Sequence, residues 1–300
     1  MLTALDHVIL AVRDLAAAEA DYRRILGLAP SWRGVHPESG TANVLFRVDN
    51  TYLELLAPQG DGASGAMLRL WLDAHGEGIV GLAFATNDLD ACRAELAARG
   101  LAPGESEAGH GRDTDSGAVR RWRRAALPFD RTRGVLLFPI EHETEAEALP
   151  MASAEGDTAA AVHALDHVVL QTTDGDAVKA LYGDGLGLRL ALDKEFPDWG
   201  VRLMFFRVGG VTVEAAAVLS GANAAKVLPG GVATDSGTDR LYGMSWRVPD
   251  LDAAHARLTA AGVNVSDIRT GRRPGTRVFT VRESTCGVPT LVLAVEPGAR

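Results

Sequence analysis

The sequence predicts an α+β fold of four βαβββ units in two homologous halves, and three observations predict it. Residues 4–10 (ALDHVIL) and 164–170 (ALDHVVL) are near copies, 160 positions apart. In both copies a glutamate follows the histidine 47 positions later, His7 to Glu54 in YLELL and His167 to Glu214 in VTVEA. Each half then divides again into two stretches of one design, an alternating apolar strand, an Asp-capped helix and three further strands.

In the first unit, ALDHVILAV alternates and reads as a strand with one buried face. Asp14 precedes a helical apolar pattern and Gly27 follows it, the expected start and stop. SWRGVH, NVLFRV and YLELLA complete the unit. The second unit runs GIVGLAFAT, a helix from Asp88 to just before Gly100, then LAPGES, VRRWRRAAL and GVLLFPI. Next comes an acidic, alanine-rich stretch, residues 142–163, broken by Pro150 and Gly156 and without apolar periodicity. It reads as a surface linker, so the expected divisions are 1–145, a linker over 146–161, and 162–300. The second half repeats the register: HPESGTANVLFRV lies over FPDWGVRLMFFRV at the same offset, and NDLDACRAELAARGL over PDLDAAHARLTAAGV at an offset of 162.

Composition narrows the partners. With 47% apolar residues in 300, the chain can fill two cores, and no apolar run reaches the ~20 residues of a membrane span. A net charge of −9 argues against nucleic acid and anionic membrane surfaces. The chain begins directly on strand sequence, so no signal peptide is expected and a cytoplasmic location is. Cys92 and Cys286 lie in different halves and read as free thiols. A small-molecule ligand is the expected partner, and a homodimer is compatible with the pattern.

The segments LDHVILAVRDL, GTANVLFRVDNTYLELLAP, NDLDACRAELAARGL, LDHVVLQTTD, VTVEAAA, VPDLDAAHARL and RRPGTRVFTV resemble the vicinal oxygen chelate superfamily of glyoxalases, bleomycin-resistance proteins and extradiol dioxygenases. The resemblance covers nearly the whole chain, and the first half is most similar to the glyoxalase-like branch. It implies that units pair into two tandem half-open barrels and that each cleft holds a divalent metal (Zn, Fe, Mn, Ni or Mg). Carried over, the ligands are His7 and Glu54 in one cleft, His167 and Glu214 in the other. The position of the family's second histidine is Gly81 or Gly243, and its last carboxylate position falls near Phe138 or Leu291. Glycine and apolar side chains cannot ligate, so each cleft retains about half of the set. His36, His110, Glu141 and His142 are candidates for a third ligand in the first half, with His142 nearest in sequence to the terminal strand. The second half has no such spare, since His255 falls in a helix and His163 in the linker.

Further polar and aromatic residues have two readings each. His36, Thr41 and Asn43 either face the cleft or serve turn chemistry. Arg112, Arg121 and Arg123 either clamp a ligand carboxylate or phosphate or are surface charge, and alternation places Arg121 and Arg123 on one face. Arg272, Arg273 and Arg277 are their counterparts. Trp32 and Trp199 are candidates for a cleft wall, with Trp122 also beside a strand and Trp246 better suited to core filling.

Three functions follow. A glyoxalase-like lyase or isomerase would polarise vicinal oxygens of a small metabolite with a metal while Glu54 or Glu214 moves a proton. A binding protein of the bleomycin-resistance type would need only shape and a few polar anchors. An extradiol dioxygenase fares worst, because Gly81 and Gly243 remove a histidine from each set. The first half, with His36, Asn43, Arg112 and Arg121, is better furnished than the second, where Phe196 and Leu203 stand at aligned positions.

Overall fold

The structure, a computed structural model, describes residues 1–219 and 237–296. Strand Leu2–Ala11 sets the pattern: Val8 and Leu10 face the helices, while His7 and Ile9 face the other way. It pairs in parallel with Thr51–Pro58 of its own unit and antiparallel with Gly78–Thr86, the first strand of the next unit. From Thr51–Pro58 the sheet continues through Thr41–Val48, Trp32–His36, Glu107–Asp113, Val119–Arg124 and Leu136–His142 back to Gly78–Thr86, so the first half is a closed eight-stranded barrel. The second half repeats the order Arg189–Phe196, Val201–Val208, Val211–Val218, Ala164–Thr172, Arg240–Arg247, Thr290–Val295, Thr276–Val281 and Arg269–Thr270, but stays an open sheet.

The expected caps form. Asp14 accepts from the amides of Ala16 and Ala17 at the head of helix Leu15–Leu26, which ends on left-handed Gly27. Asp88 and Asp250 cap Leu89–Ala98 and Leu251–Ala260 in the same way. After Asp174 one α-turn, Gly175–Val178, passes into a π-helical segment, Lys179–Gly185.

Three expectations need correction. LAPGES is not a strand: Ala102 has a positive φ and Pro103 lacks an amide hydrogen, and the strand begins later, at Glu107. An unforeseen helix, Ala63–His75, joins the two units of the first half. It has no side-chain cap, because Gly62 and Gly65 press on the Ser39–Gly40 backbone where no Cβ fits. The two separate cores are in fact one: a continuous cluster runs from Val8, Phe46 and Tyr22 of the first half to Val168, Phe206 and Trp246 of the second. Polar ties cross the same boundary, including Asn50 with Leu165 and Arg257 with the carbonyls of Ile25 (2.9 Å) and Ala160 (3.2 Å).

The linker is anchored rather than loose. Ser153–Ala154 adds to Leu28–Ala29 as a two-stranded ribbon. Leu149 packs on Trp32, Leu45 and Tyr52, and Arg47 donates to the carbonyls of Ala146 (2.6 Å) and Leu149. One end of the barrel is thus stoppered by the linker. Helix Ala63–His75 stoppers the other, with Leu68 and Leu72 packed on Ala11 and Leu56.

Candidate functional site

A single irregularity builds the site in each half. Alternation along a strand should send Asp6 and His7 to opposite faces. Instead the ladder to Gly78–Thr86 slips between Leu5 and His7, leaving Asp6 as an extra residue, and the ladder beside Leu165 and His167 slips in the same way around Asp166. The bulge brings each aspartate beside its histidine, with Asp6 Oδ1 2.7 Å from His7 Nδ1 and Asp166 Oδ2 2.8 Å from His167 Nδ1. An ionised carboxylate only accepts, so both Nδ1 atoms donate and both Nε2 atoms are turned toward the glutamates.

In the first half, Glu54 Oε2 lies 3.4 Å from His7 Nε2, and Asn43 Nδ2 donates to Glu54 Oε1 at 2.7 Å. His142 Nε2 donates to the other oxygen of Asp6 at 2.9 Å. Burial works against the Asp6 charge, yet hydrogen bonds from His142 and His7 outweigh it and hold this carboxyl well below the usual range. His7 is only 4% exposed, stacked on Tyr52 at 4.5 Å and met edge-on by Phe138 at 5.9 Å. A cavity of about 350 Å³ opens beside this network, walled by Asp6, Tyr52, Arg120, His142, Thr144 and Leu149. Two polar atoms at the site, Asn43 Oδ1 and His142 Nδ1, are buried without a hydrogen-bond partner.

The second half is built differently on the same frame. Ser245 Oγ lies 2.9 Å from His167 Nε2, while Glu214 stands off at 3.7 Å. Arg247 Nε donates to Asp166 at 2.6 Å. Burial favours neutral His167, but Asp166 and Glu214 prevail and raise its pKa; Asp166 is correspondingly lowered to about 2. Position 83, which faces His7 as Ser245 faces His167, is alanine.

Several nominated residues lie elsewhere than expected. Cβ atoms at Gly109 and Gly111 would meet Trp122 and His36, so that face of strand Glu107–Asp113 looks inward and His110 and Arg112 look out. By the same parity Arg121 is exposed, and Arg123 binds Asp90 and Glu141 on the outside. The inward cations are Arg120, over the rings of Trp32 (5.7 Å) and Tyr52 (5.4 Å), and Arg124, over Phe138. Trp32 and Trp122 face the barrel interior; Trp246 is fully buried in the core. His36 holds Thr41 Oγ1 at 3.1 Å, and burial lowers its pKa. Glu141 caps Leu89–Ala98 through the Leu89 amide. Trp199 is exposed, stacked between Phe196 and Arg272 at the rim of the open sheet. His163 pairs with Asp49, and His255 reaches the Ser266 carbonyl. Arg277 is taken up by Asp252. Burial raises both cysteine pKa values, Cys286 to about 12, which disfavours either as a nucleophile.

The inherited metal set does not close. A Cβ on Gly81 would come within 2.7 Å of the Leu136 carbonyl oxygen, and one on Gly243 within 2.8 Å of that of Pro289. The neighbouring parallel strand occupies the room a histidine would need. Phe138 does reach His7 but offers no lone pair, and His142 spends Nε2 on Asp6. Among the described residues no group of three or more His, Cys, Asp or Glu is arranged to hold a metal ion, short of the three protein ligands of a catalytic zinc site.

Comparison with known proteins agrees with this frame. A glyoxalase-like domain family matches residues 5–164, and the glyoxalase/bleomycin resistance protein/dioxygenase superfamily matches residues 166–280. The chain belongs to the vicinal oxygen chelate superfamily. Among its relatives, the chain is 36% identical over 116 residues to an ethylmalonyl-CoA/methylmalonyl-CoA epimerase of Cereibacter sphaeroides, covering 37% of this chain and 85% of that protein. A mutant 4-hydroxymandelate synthase from Streptomyces coelicolor aligns over 100% of this chain and 94% of its own, with a TM-score of 0.70 at 13% identity. A hypothetical protein from Staphylococcus aureus aligns over 98% and 100%, with a TM-score of 0.63 at 9% identity. At these identities the two structures show the fold of this vicinal oxygen chelate protein alone.

Proposed function

We propose that this vicinal oxygen chelate protein is a proton-transfer enzyme of isomerase or lyase type, acting on a small oxygen-rich metabolite inside the first barrel, with Glu54 moving the proton. The observation that carries the reading is the pair of orphaned acceptors, Asn43 Oδ1 and His142 Nδ1, at either side of the His7–Glu54 contact. Leaving a buried polar group unpaired costs about 1–3 kcal/mol, a cost that donor groups of a hydroxylated ligand would remove.

The chemistry follows from proton positions. His7 gives its Nδ1 hydrogen to Asp6, so the contact between Nε2 and Glu54 is attractive only when one proton lies between them. Glu54 can then exchange that proton with a carbon acid beside a carbonyl, with His7 as the reservoir and Asn43 holding the carboxylate in place. Arg120 on the cavity wall supplies positive charge for the oxyanion that forms. Similarity to an epimerase supports this reaction class. Because the donor set lacks a third metal ligand, each step is assigned to side chains of the chain itself.

The test is deuterium wash-in. The protein would be incubated in D₂O with a panel of α-hydroxy ketones, α-keto acids and acyl thioesters, and exchange at the carbon acid followed by NMR. Wash-in into at least one class, reduced about a hundredfold or more in Glu54→Gln, is expected. No exchange across the panel, or undiminished exchange in Glu54→Gln, would overturn the assignment. The second half supports ligand holding instead, since its sheet is not closed and His167 Nε2 is already engaged by Ser245.

A further inference from the structure

The internal repeat provides its own control for one end of each sheet. Arg47 and Arg207 are equivalent, 160 positions apart at the ends of strands Thr41–Val48 and Val201–Val208. Around Arg47 the linker supplies two carbonyl acceptors to the guanidinium, from Ala146 and Leu149. The linker also covers the adjoining edge, where Ser153 pairs with Ala29. In the second half the residue equivalent to Ala29 is Arg189, directly across the ladder from Arg207.

Nothing among the described residues takes the linker's place. Neither Arg189 nor Arg207 has an ion pair or hydrogen bond from its guanidinium, although Arg207 is half-buried. Like charges directly opposite on neighbouring strands repel. Burial is the main influence lowering the Arg207 pKa; Asp166 opposes it, while Arg273, Arg247 and Arg189 add to it. Of these neighbours, Asp166 is already bonded to His167 and Arg247, so it is not free to neutralise the cluster. The two arginines line an open depression of about 470 Å³, with Ala191, Val208, Gly209 and Gly210 as its other lining residues.

We propose that Arg189 and Arg207 form a subsite for the oxyanion, phosphate or carboxylate, of a small-molecule ligand of the second half. Two guanidiniums side by side can offer bidentate, charge-assisted hydrogen bonds to such a group. The subsite shares a row of the sheet with the second histidine: Arg207 is opposite Thr212, and Thr212 is opposite His167. Two strand spacings separate their backbones, about 10 Å, so a ligand whose anionic group is held here can extend its remaining atoms along that face of the sheet toward His167 and Glu214. This subsite stands independently of the reaction assigned to the first barrel.

Calorimetric titration of the full chain with pyrophosphate, and separately with succinate, tests it at low ionic strength. Saturable binding of at least one anion is expected, weakened about tenfold in Arg189→Met and in Arg207→Met but unchanged in Arg47→Met, whose guanidinium is held by the linker carbonyls in the other half. The stronger of the two anions identifies phosphate or carboxylate as the recognised group. Arg189 is exposed, so its variant reports on binding even if Arg207→Met folds poorly. Absence of binding to both anions, or equal binding by wild type and Arg189→Met, would overturn the proposal, as would loss confined to Arg47→Met.

Discussion

Asp6 accepts from two histidines at once, and its carboxylate has little water to fall back on. Asp6→Asn removes the charge that both imidazoles require and should cost about 3 kcal/mol, read as a shift in the urea midpoint. In the second half the pH dependence has two limbs. His167 has a raised pKa, so its contribution is complete below the ordinary histidine value of about 6.5 and is lost as pH rises through the folded value. Asp166 is lowered from 3.8 to about 2, so its contribution, about 2 kcal/mol, is present above 3.8 and lost as pH falls toward 2. Because the two groups bond to each other, difference curves of unfolding free energy against pH, wild type minus His167→Gln and wild type minus Asp166→Asn, should each show both limbs in part; a flat difference curve would contradict the assignment. The histidine–glutamate pairs were legible as a repeated spacing. Their aspartate partners were not, because alternation assigns adjacent residues to opposite faces and only the bulge reverses that. Arg120 was missed for a related reason: in VRRWRR every position is large or cationic, so inward parity is fixed only by packing against Trp32 and Tyr52.

At the scale of elements, glycine positions decide what each strand and helix can carry. Gly81→Ala places a methyl group against the Leu136 carbonyl and should destabilise by about 1–3 kcal/mol, measured by thermal or urea unfolding. Unaltered stability would mean that the strands can part enough to admit the family's histidine. Asp14→Ala should cost about 1 kcal/mol by removing the cap on two amides. Most of the fold could be read from such local signals: the strand–helix order, the aspartate caps at Asp14 and Asp88 and the repeat register all describe the folded elements. What escaped was set by contacts between distant segments. Helix Ala63–His75 begins in GDGASG, which reads as a turn, and its glycines make sense only once Ser39–Gly40 is seen lying against them. Closure of the first sheet was likewise unreadable, since it depends on Trp32–His36 meeting Glu107–Asp113, a pairing between units.

For the whole molecule, the continuous core means that neither half has a complete surface of its own. Calorimetric unfolding should therefore show one transition, and Arg257→Ala, which strips three carbonyls of the partner surface and linker of their donor, should lower that single transition by roughly 2–3 kcal/mol. Two resolved transitions would refute the shared core. The linker carries a further consequence. It is at once the covalent tie between the halves and the plug over the first barrel, so ligand residence time there becomes a property of the tie. Arg47→Ala removes the donor that holds Ala146 and Leu149 against the cavity, and it should speed entry and exit together. Affinity would then change less than the exchange rates do: the barrel's clock is kept by the segment that ties it to the second half.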